Sequence, residues 1–314
     1  MPGWKIAVIG TVNRDTIYVP GKPPTESYGG VLYTVLPMAE LADEKTEIYL
    51  VSNIGEDAWD VVSEFLSGYG SVKLDGVRVV DCKNNHVLLN YDSDGVKQER
   101  CLGMVPPIPL NRLEPFLGFD ALCFNFISGF ELSLDTLRKV RELFSSTIFI
   151  DFHSLSLGIA DDGRRFLRRP DRWEEWIRCA DVLQMNETEA ALLAERRLVG
   201  DGDYASFGRE LVSLGPSAVA ITLGEEGSLA IYRDDEGRVL FHRFPPSHRR
   251  APEDPTGCGD VFLAALTLSY LDSGDILEAS TFANAAAGAN SLLKGIEGIR
   301  ELRRVMRDIG YGSI

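Results

Sequence analysis

The feature that most constrains the fold of this chain is a regular alternation of short apolar runs with segments of helical periodicity. The apolar runs are rich in β-branched residues, which is typical of parallel strands buried on both faces of a sheet. They are Lys5–Ile9, 48–51, 121–124, 147–150 and Ala218–Thr222. The helical segments include 31–41, 58–65, 132–144, 204–214 and 276–293. Strands that alternate with helices indicate βαβ units, so the chain is predicted to be an α/β protein with helices on both sides of its sheet.

Two stretches interrupt this alternation, residues 12–28 and residues 72–103. The first is polar and contains proline. The second alternates polar and apolar residues around Asp92-Ser93-Asp94-Gly95, which is a hairpin signal. Both are predicted to form antiparallel strands outside the main sheet, assembled into one small discontinuous β subdomain. Residues 1–314 are therefore interpreted as a single α/β domain that this subdomain interrupts twice, rather than as two consecutive domains.

Composition argues against several classes of protein. The chain carries 47 acidic and 32 basic residues, and its net charge of −15 does not suit a protein that binds the backbone of nucleic acids. The longest nearly unbroken apolar stretch, 262–271, is half of the roughly 20 residues that a membrane span needs. The five cysteines are scattered, and the start MPGWKIAVIG lacks the features of an export signal. We therefore expect a cytoplasmic protein with reduced thiols that binds neither membranes nor nucleic acid.

The most informative segment is Asp254-Pro255-Thr256-Gly257-Cys258-Gly259-Asp260, which leads into an apolar segment predicted to be a buried helix ending near Leu271. Its glycine turn leaves backbone N–H groups at the positive end of the helix dipole, which suits a phosphate group. A carboxylate beside a phosphate group is unfavourable because the two negative charges repel each other, so its presence here indicates a function. Deprotonation of an acceptor hydroxyl is such a function for Asp260. Taken in isolation, Asp260 is better explained as a helix N-cap, and the catalytic interpretation depends on the surrounding motifs.

This segment resembles the carboxy-terminal signature of the ribokinase-like, or PfkB, family of carbohydrate kinases, commonly D-T-x-G-A-G-D. Other landmarks of that family occur in the right order between residues 10 and 290. They are Gly10-Thr11-Val12-Asn13-Arg14-Asp15, the diglycine Gly29-Gly30, Ser52-Asn53-Ile54-Gly55-Glu56-Asp57, Asn186-Glu187-Thr188-Glu189, Thr222-Leu223-Gly224-Glu225-Glu226-Gly227 and Asn284. The resemblance implies a ribokinase-like three-layer α/β/α core with a mostly parallel central sheet and a small discontinuous β lid.

The resemblance also implies a kinase that moves the γ-phosphoryl group of ATP to a hydroxyl of a sugar or sugar-like substrate. In that assignment Asp260 is the general base, and the N–H groups of Gly257, Cys258, Gly259 and Asp260 form an anion hole. Magnesium is assigned to Asn186 and Glu189, mainly through water, and a monovalent cation such as K⁺ to Asp254 and Thr256. The nucleotide side comprises Asn186, Glu189, Thr222, Gly224, Gly227 and Asn284. The substrate side comprises Asn13, Asp15, Gly29, Gly30 and Thr34.

Several of these residues have simpler explanations that the sequence leaves open. Asn186 and Glu189 have the spacing of a capping box, and Gly224 and Gly227 suit a plain hairpin turn. Asn284 is equally explained by a hydrogen bond within the core, and Asp15 by a turn. The arginine-rich run Arg164–Arg172 is interpreted as a solvated face without an assigned role.

The departures from the family pattern lie mainly on the substrate side. Thr34 stands where the family usually has asparagine, and Asp151-Phe152-His153 replaces a D-x-N-x-R element, so neither ribose nor fructose is assigned. Cys258 at a helix start raises the hypothesis of an oxidation-sensitive thiol, although an inert thiol is the favoured alternative. Rival functions are a nucleoside kinase of the same family and a catalytically silent paralogue that senses nucleotide or sugar. An exposed lid edge would allow a homodimer through the lid.

Overall fold

The predicted alternation builds one large sheet with helices on both faces. The computed structural model describes residues 3–92 and 97–312. Its strands are β1 (Lys5–Ile9), β2 (Val12–Tyr18), β3 (Thr25–Gly30), β4 (Glu47–Gly55), β5 (Val72–Lys73), β6 (Val77–Val80), β7 (Asn85–Tyr91), β8 (Lys97–Gly103), β9 (Ala121–Asn125), β10 (Thr147–Asp151), β11 (Leu157–Ile159), β12 (Arg165–Leu167), β13 (Val182–Asn186), β14 (Ala218–Thr222), β15 (Ser228–Arg233) and β16 (Val239–Phe244). Its α-helices are α1 (Leu32–Leu41), α2 (Trp59–Ser67), α3 (Leu134–Leu143), α4 (Trp173–Ile177), α5 (Glu187–Ala194), α6 (Gly200–Leu214), α7 (Cys258–Ser273), α8 (Ile276–Ser291) and α9 (Leu302–Asp308).

The main sheet has the strand order β16-β15-β14-β13-β10-β9-β1-β4-β5, and β6 pairs with the end of β4. All of these pairs are parallel except those of β15 and β16, which form an antiparallel edge. One face of the sheet packs against α1, α2, α7, α8 and α9, and the other face packs against α3, α4, α5 and α6. The predicted three-layer α/β/α architecture is confirmed.

Four neighbouring parallel strands end at polar residues: Asn125 on β9, Asp151 on β10, Asn186 on β13 and Thr222 on β14. The strand register pairs Asn125 with Asp151, and Asn186 with Thr222. Because ligands of open α/β sheets bind outside the carboxyl ends of the strands, this edge is where a site is expected.

Helix α7 supplies the other wall of that edge. Gly257 precedes it with a φ of +75°, and Gly274 ends it with a φ of +67°, so each terminus uses a left-handed conformation that glycine adopts without strain. The helix is buried on most sides from Asp260 to Leu268. The buried helix expected from the sequence is therefore present, and it ends at Ser273, slightly beyond the expected Leu271.

The lid is a separate four-stranded sheet with the order β3-β2-β7-β8, built from residues 12–30 and 85–103. The predicted lid segment 72–103 begins too early, because β5 and β6 pair with β4 of the main sheet. The expectation of purely antiparallel pairing is also wrong, since β2 and β7 run parallel. Alternation of polar and apolar residues identifies a half-buried strand but not its partner. Ser93, Asp94 and Gly95 of the predicted turn lie outside the described residues.

Within the described ranges, no helix combines the length and the apolar character that a membrane crossing demands.

Candidate active site

A cavity of about 750 Å³ lies between the inner face of the lid and the carboxyl edge of the main sheet. This volume is within the range of about 300–1,000 Å³ that is usual for small-molecule sites. Eight residues that the sequence assigned to a site line it: Asn13, Asp15, Gly30, Asn186, Glu189, Thr256, Gly257 and Asp260. The fold thus brings together most of the predicted substrate side and the predicted catalytic turn, which are far apart in sequence.

The turn before α7 has the geometry of an anion cradle. The N–H of Cys258 donates to the carbonyl of Pro255 at 3.3 Å, and the N–H of Asp260 is directed at its own carboxylate, whereas the N–H of Gly259 has no acceptor among the described residues. Unpaired N–H groups in the first turn of a helix attract anions. The Gln184 amide donates to the Gly259 carbonyl at 2.8 Å, which fixes the turn from β13.

Asp260 is buried in the first turn of α7, and its carboxylate accepts a hydrogen bond from the Asn125 amide at 2.6 Å. The same amide also donates to the Thr34 hydroxyl at 2.7 Å. The N-cap position belongs to Gly257, so the alternative that Asp260 caps the helix is wrong. Burial raises the pKa of Asp260, and the nearby His153 and the Asn125 hydrogen bond partly offset that rise. A carboxylate in this state is a stronger base than an exposed one.

His153 lies among three buried carboxylates, those of Asp151, Glu189 and Asp260. Burial lowers the pKa of His153, but these carboxylates raise it further, so the net change is upward and favours the charged imidazolium. The backbone of His153 has a φ of +30°, a conformation that is strained for any residue other than glycine. Strain of this kind at a cavity wall is typical of functional sites.

Asn186 and Glu189 form the capping box that the sequence left as an alternative. The Glu189 N–H donates to Asn186 Oδ1 at 3.0 Å, and the Asn186 N–H donates to Glu189 Oε2 at 2.8 Å. The Asn186 amide also donates to Glu189 Oε1 at 2.6 Å. Burial raises the pKa of Glu189, which still lines the cavity. The pair therefore caps α5 and at the same time presents a buried carboxylate to the cavity.

The substrate side of the prediction divides into residues that reach the cavity and residues that support it. Asp15 lines the cavity, and burial, with a contribution from Glu99, raises its pKa to about 7. Thr34 is fully buried and is not among the residues that line the cavity, and its hydroxyl accepts a hydrogen bond from the Asn125 amide. Gly29 and Gly30 pair with β2, and Gly30 has a φ of +68°.

The predicted nucleotide residues Thr222, Gly224, Gly227 and Asn284 lie at the same edge of the sheet but do not line this cavity. Gly224 and Gly227 have positive φ angles and form the turn from β14 into β15. Asn284 accepts a hydrogen bond from Ser228 at 3.4 Å and donates to the Pro245 carbonyl at 2.6 Å. The structure thus places these residues beside the site, with Asn284 engaged by protein groups.

Asp254, the residue assigned to a monovalent cation, organises the loop around it. Its carboxylate accepts the N–H of Thr256 at 2.9 Å and the N–H of Gly295 at 3.2 Å. The Thr256 carbonyl accepts from the Asn290 amide at 3.0 Å. The described residues contain no cluster of three or more His, Cys, Asp or Glu side chains that could hold a metal ion directly.

The thiol of Cys258 is not activated. Burial raises its pKa to about 11, although the Asn290 amide donates to its sulfur at 3.4 Å. The hypothesis of a thiol with a lowered pKa is therefore wrong, and the inert alternative is favoured.

Sequence reasoning missed several residues of the site. Gln184 interrupts the apolar run of β13, so that strand was not predicted, and Asn125 is one polar residue at the end of an otherwise apolar strand. The ring of Tyr33 packs against Gly257, where a Cβ atom would collide with it. Arg165 lines the cavity from within the arginine-rich run. Of these residues, only Gln184 could have been found from the sequence, because a polar residue stands there within an otherwise apolar run.

Comparison with known proteins gives consistent matches. The profile of the pfkB family carbohydrate kinases matches residues 165–296. The chain is 23% identical to ribokinase of Bacillus subtilis (strain 168), over 97% of this chain and 98% of that protein. Among solved structures, Arabidopsis thaliana ribokinase complexed with ribose and ATP has a TM-score of 0.76 at 20% identity, covering 99% of this chain and 100% of that one. A pyrophosphate-dependent kinase in the ribokinase family, complexed with a pyrophosphate analog and myo-inositol, also has a TM-score of 0.76 at 19% identity, covering 96% and 99%.

Proposed function

The chain belongs to the ribokinase-like (PfkB) family of carbohydrate kinases, and on this premise we propose that it transfers the γ-phosphoryl group of ATP to a hydroxyl of a small sugar-like acceptor bound under the lid. The observation that carries the proposal is the position of Asp260. This buried carboxylate faces a lid-covered cavity and directly follows Gly259, whose backbone N–H has no acceptor among the described residues.

In the proposed reaction Asp260 accepts the proton of the acceptor hydroxyl as that oxygen attacks the γ-phosphorus. The Asn125 hydrogen bond at 2.6 Å orients the carboxylate, and burial raises its pKa toward the working range of a base. The N–H groups of Gly259 and Asp260 then receive the negative charge of the transferring phosphoryl group. The lid excludes water, which would otherwise compete as the acceptor.

Asn186 and Glu189 are the residues proposed to organise Mg²⁺, and they suit an ion that keeps most of its water ligands. Glu189 is a buried carboxylate at the cavity wall, and the described residues offer no ready-made cage of carboxylates. When bound, the ion would neutralise charge on the donor phosphates. Asp254 and Thr256 stay the proposed residues for a monovalent cation.

Charged groups on the inner face of the lid support a hydroxyl-rich acceptor over a nucleoside, although Val87, Leu89 and Tyr91 line the same cavity. Asp15, Lys97 and Glu99 all line the cavity there, and Lys97 pairs with Glu99 at 2.6 Å. A nucleobase would need a flat apolar surface at this position, whereas charged groups suit hydrogen bonds to hydroxyls. The expected homodimer through the lid and the cytoplasmic location stay predictions.

The experiment is a measurement of ADP release with ATP and a panel of sugars, polyols and nucleosides. In a parallel assay pyrophosphate replaces ATP as the donor, and the phosphorylated product is detected. We expect turnover with ATP and at least one sugar-like acceptor. Nucleotide binding without turnover on any acceptor would favour the silent sensor, and turnover with nucleosides only would favour the nucleoside kinase.

The mechanism is tested with Asp260→Asn. We expect kcat to fall by about 10²–10⁴-fold, because general-base catalysis typically contributes that much, while the Kd for nucleotide stays within about threefold. Asp272→Asn is the matched control, since it removes a carboxylate at the exposed end of the same helix, where Asp272 accepts a hydrogen bond from Trp4. Near wild-type turnover of Asp260→Asn would exclude Asp260 as the base.

A further inference from the structure

Arg165 is held at the cavity wall by both the lid and the core. It lies on β12, which forms a hairpin with β11. The hairpin is joined to lid strand β8, because the Cys101 N–H donates to the Gly163 carbonyl at 2.9 Å and Arg100 Nε donates to the Asp162 carbonyl at 2.6 Å. Arg165 Nη1 donates to the carbonyl of Ser128 in the core at 2.9 Å. The guanidinium therefore lies where lid and core meet.

Most of the hydrogen-bonding capacity of this guanidinium is unused. Arg165 Nε and Nη2 are both closed off from solvent, and neither has an acceptor in the part of the chain that the structure describes. No described carboxylate lies within 4.0 Å of Arg165. Burying a charged donor without a partner is costly, so such groups in folded proteins usually have one. A ligand in the cavity is a natural source of that partner.

Nε and Nη2, the two nitrogens without a described acceptor, form the edge of a guanidinium group that can bind two oxygen atoms at once. Arg172, on the same stretch of chain, shows the arrangement with a partner present: its Nε and Nη2 donate to the two carboxylate oxygens of Glu175 at 2.6 and 2.8 Å. Such a fork matches the geometry of a carboxylate or a phosphate group. The free edge of Arg165 is therefore suited to a group with two acidic oxygens.

The other charges of the lid face do not compete for such a group. Lys97 is paired with Glu99 at 2.6 Å, and the pKa of Asp15 is raised to about 7, so its negative charge is reduced near neutral pH. Arg165 is left with a positive charge that no described side chain compensates.

We propose that the guanidinium of Arg165, which lines the cavity, turns its Nε and Nη2 edge toward a bound acceptor and binds an acidic group of it, so that the acceptor is an anionic polyol, either a sugar acid or a sugar phosphate. This rests on the proposed kinase function. It assigns the acceptor two fixed points within one cavity, with its acidic group at Arg165 and its reacting hydroxyl at Asp260.

The test is a calorimetric titration, without nucleotide, of three ligands that share one carbon skeleton: sorbitol, gluconate and sorbitol 6-phosphate. Further matched sets with other stereochemistry complete the panel. We expect one acidic class to bind at least about tenfold more tightly than its neutral counterpart, and which class binds distinguishes a carboxylate from a phosphate. Arg165→Met should weaken that binding by about 10- to 100-fold, as expected for a charge-assisted hydrogen-bonded pair, with Arg165→Lys intermediate. Arg164→Met is the matched control, because Arg164 is exposed and pairs with Asp162 at 2.6 Å.

Two results would overturn the proposal. One is that no acidic ligand of the panel binds more tightly than its neutral counterpart, including the case in which neither binds. The other is that Arg165→Met weakens acidic and neutral ligands equally, as a purely structural arginine would. Circular dichroism and melting temperatures check that each variant is folded. Because the titration contains no donor, a failure of phosphoryl transfer leaves this result unaffected, and the two proposals fail separately.

Discussion

Replacing Asp15 by asparagine is expected to stabilise the protein at alkaline pH while weakening acceptor binding. Asp15 is a partly exposed carboxylate on the lid, and its pKa is raised from 3.8 to about 7 by burial and by the charge of Glu99. The folded state therefore holds this proton more tightly than the unfolded chain does. Between about pH 4 and pH 7 the unfolded chain releases it first, so the free energy of unfolding falls as the pH rises through this window.

The magnitude follows from the size of the shift. A change of about three pKa units corresponds to about 4 kcal/mol at 1.36 kcal/mol per unit, and because the side chain is partly exposed we expect about half of this. Asp15→Asn removes the ionisation altogether. We therefore expect the variant to be more stable than the wild type by about 1 kcal/mol at pH 5 and about 2 kcal/mol at pH 8. With about 2 °C per kcal/mol, the difference in Tm at pH 8 is about 4 °C.

The assay is thermal unfolding of wild type and Asp15→Asn in buffers from pH 5 to pH 8, with Asp161→Asn as the control for the loss of one exposed negative charge. The same variant should bind the acceptor about tenfold more weakly, because a neutral amide is a poorer acceptor of hydroxyl hydrogen bonds than a carboxylate. A stability difference that is independent of pH, or one that matches the Asp161 control, would refute the reasoning.

Two further outcomes concern the catalytic turn. Gly257→Ala should destabilise the protein by about 1–3 kcal/mol and lower kcat, because position 257 has a φ of +75° and a Cβ atom there would collide with the Tyr33 ring. Gly274→Ala is the control, since position 274 has a φ of +67° but no atom of the described residues within reach of a Cβ. It should destabilise the protein by about 1 kcal/mol and leave kcat unchanged. Equal effects in melting and turnover assays would exclude the Tyr33 contact as the cause. Iodoacetamide at pH 7.5 should leave Cys258 unmodified by mass spectrometry, since burial raises the pKa of this thiol to about 11. Rapid alkylation of Cys258 in the folded protein would contradict this.

Most of the central sheet was predictable because five of its buried strands, β1, β4, β9, β10 and β14, contain a continuous apolar run. Another buried strand, β13, escaped prediction because it contains Gln184, whose amide holds the carbonyl of Gly259 at 2.8 Å. Gln184 is a polar residue within a buried strand, and it interrupts the apolar run by which such a strand is identified. The lid strands were identified as strands, but their partners depend on contacts between residues far apart in sequence. That is why β5 and β6 were assigned to the wrong sheet.

The site shows the same division between local and distant information. The cradle before α7 is made by consecutive backbone groups, so one short segment of sequence was enough to predict its position. Asn125, His153 and Arg165 come from three separate strands and turns, and no spacing within the sequence links them to Asp260. His153 in addition adopts a left-handed φ of +30°, which residue propensities do not anticipate.

This division has a consequence for specificity. The proposed donor half of the site depends on backbone N–H groups and on the glycine turn, which cannot change without disturbing α7. The proposed acceptor half depends on side chains such as Asp15, Lys97 and Arg165, which lie on the lid and on the hairpin attached to it, outside the main sheet. Such side chains can be exchanged while the core keeps its packing. The resemblance to the family therefore constrains the proposed chemistry at Asp260 much more tightly than the identity of the acceptor, and the charges facing the cavity from the lid are the better guide to that identity.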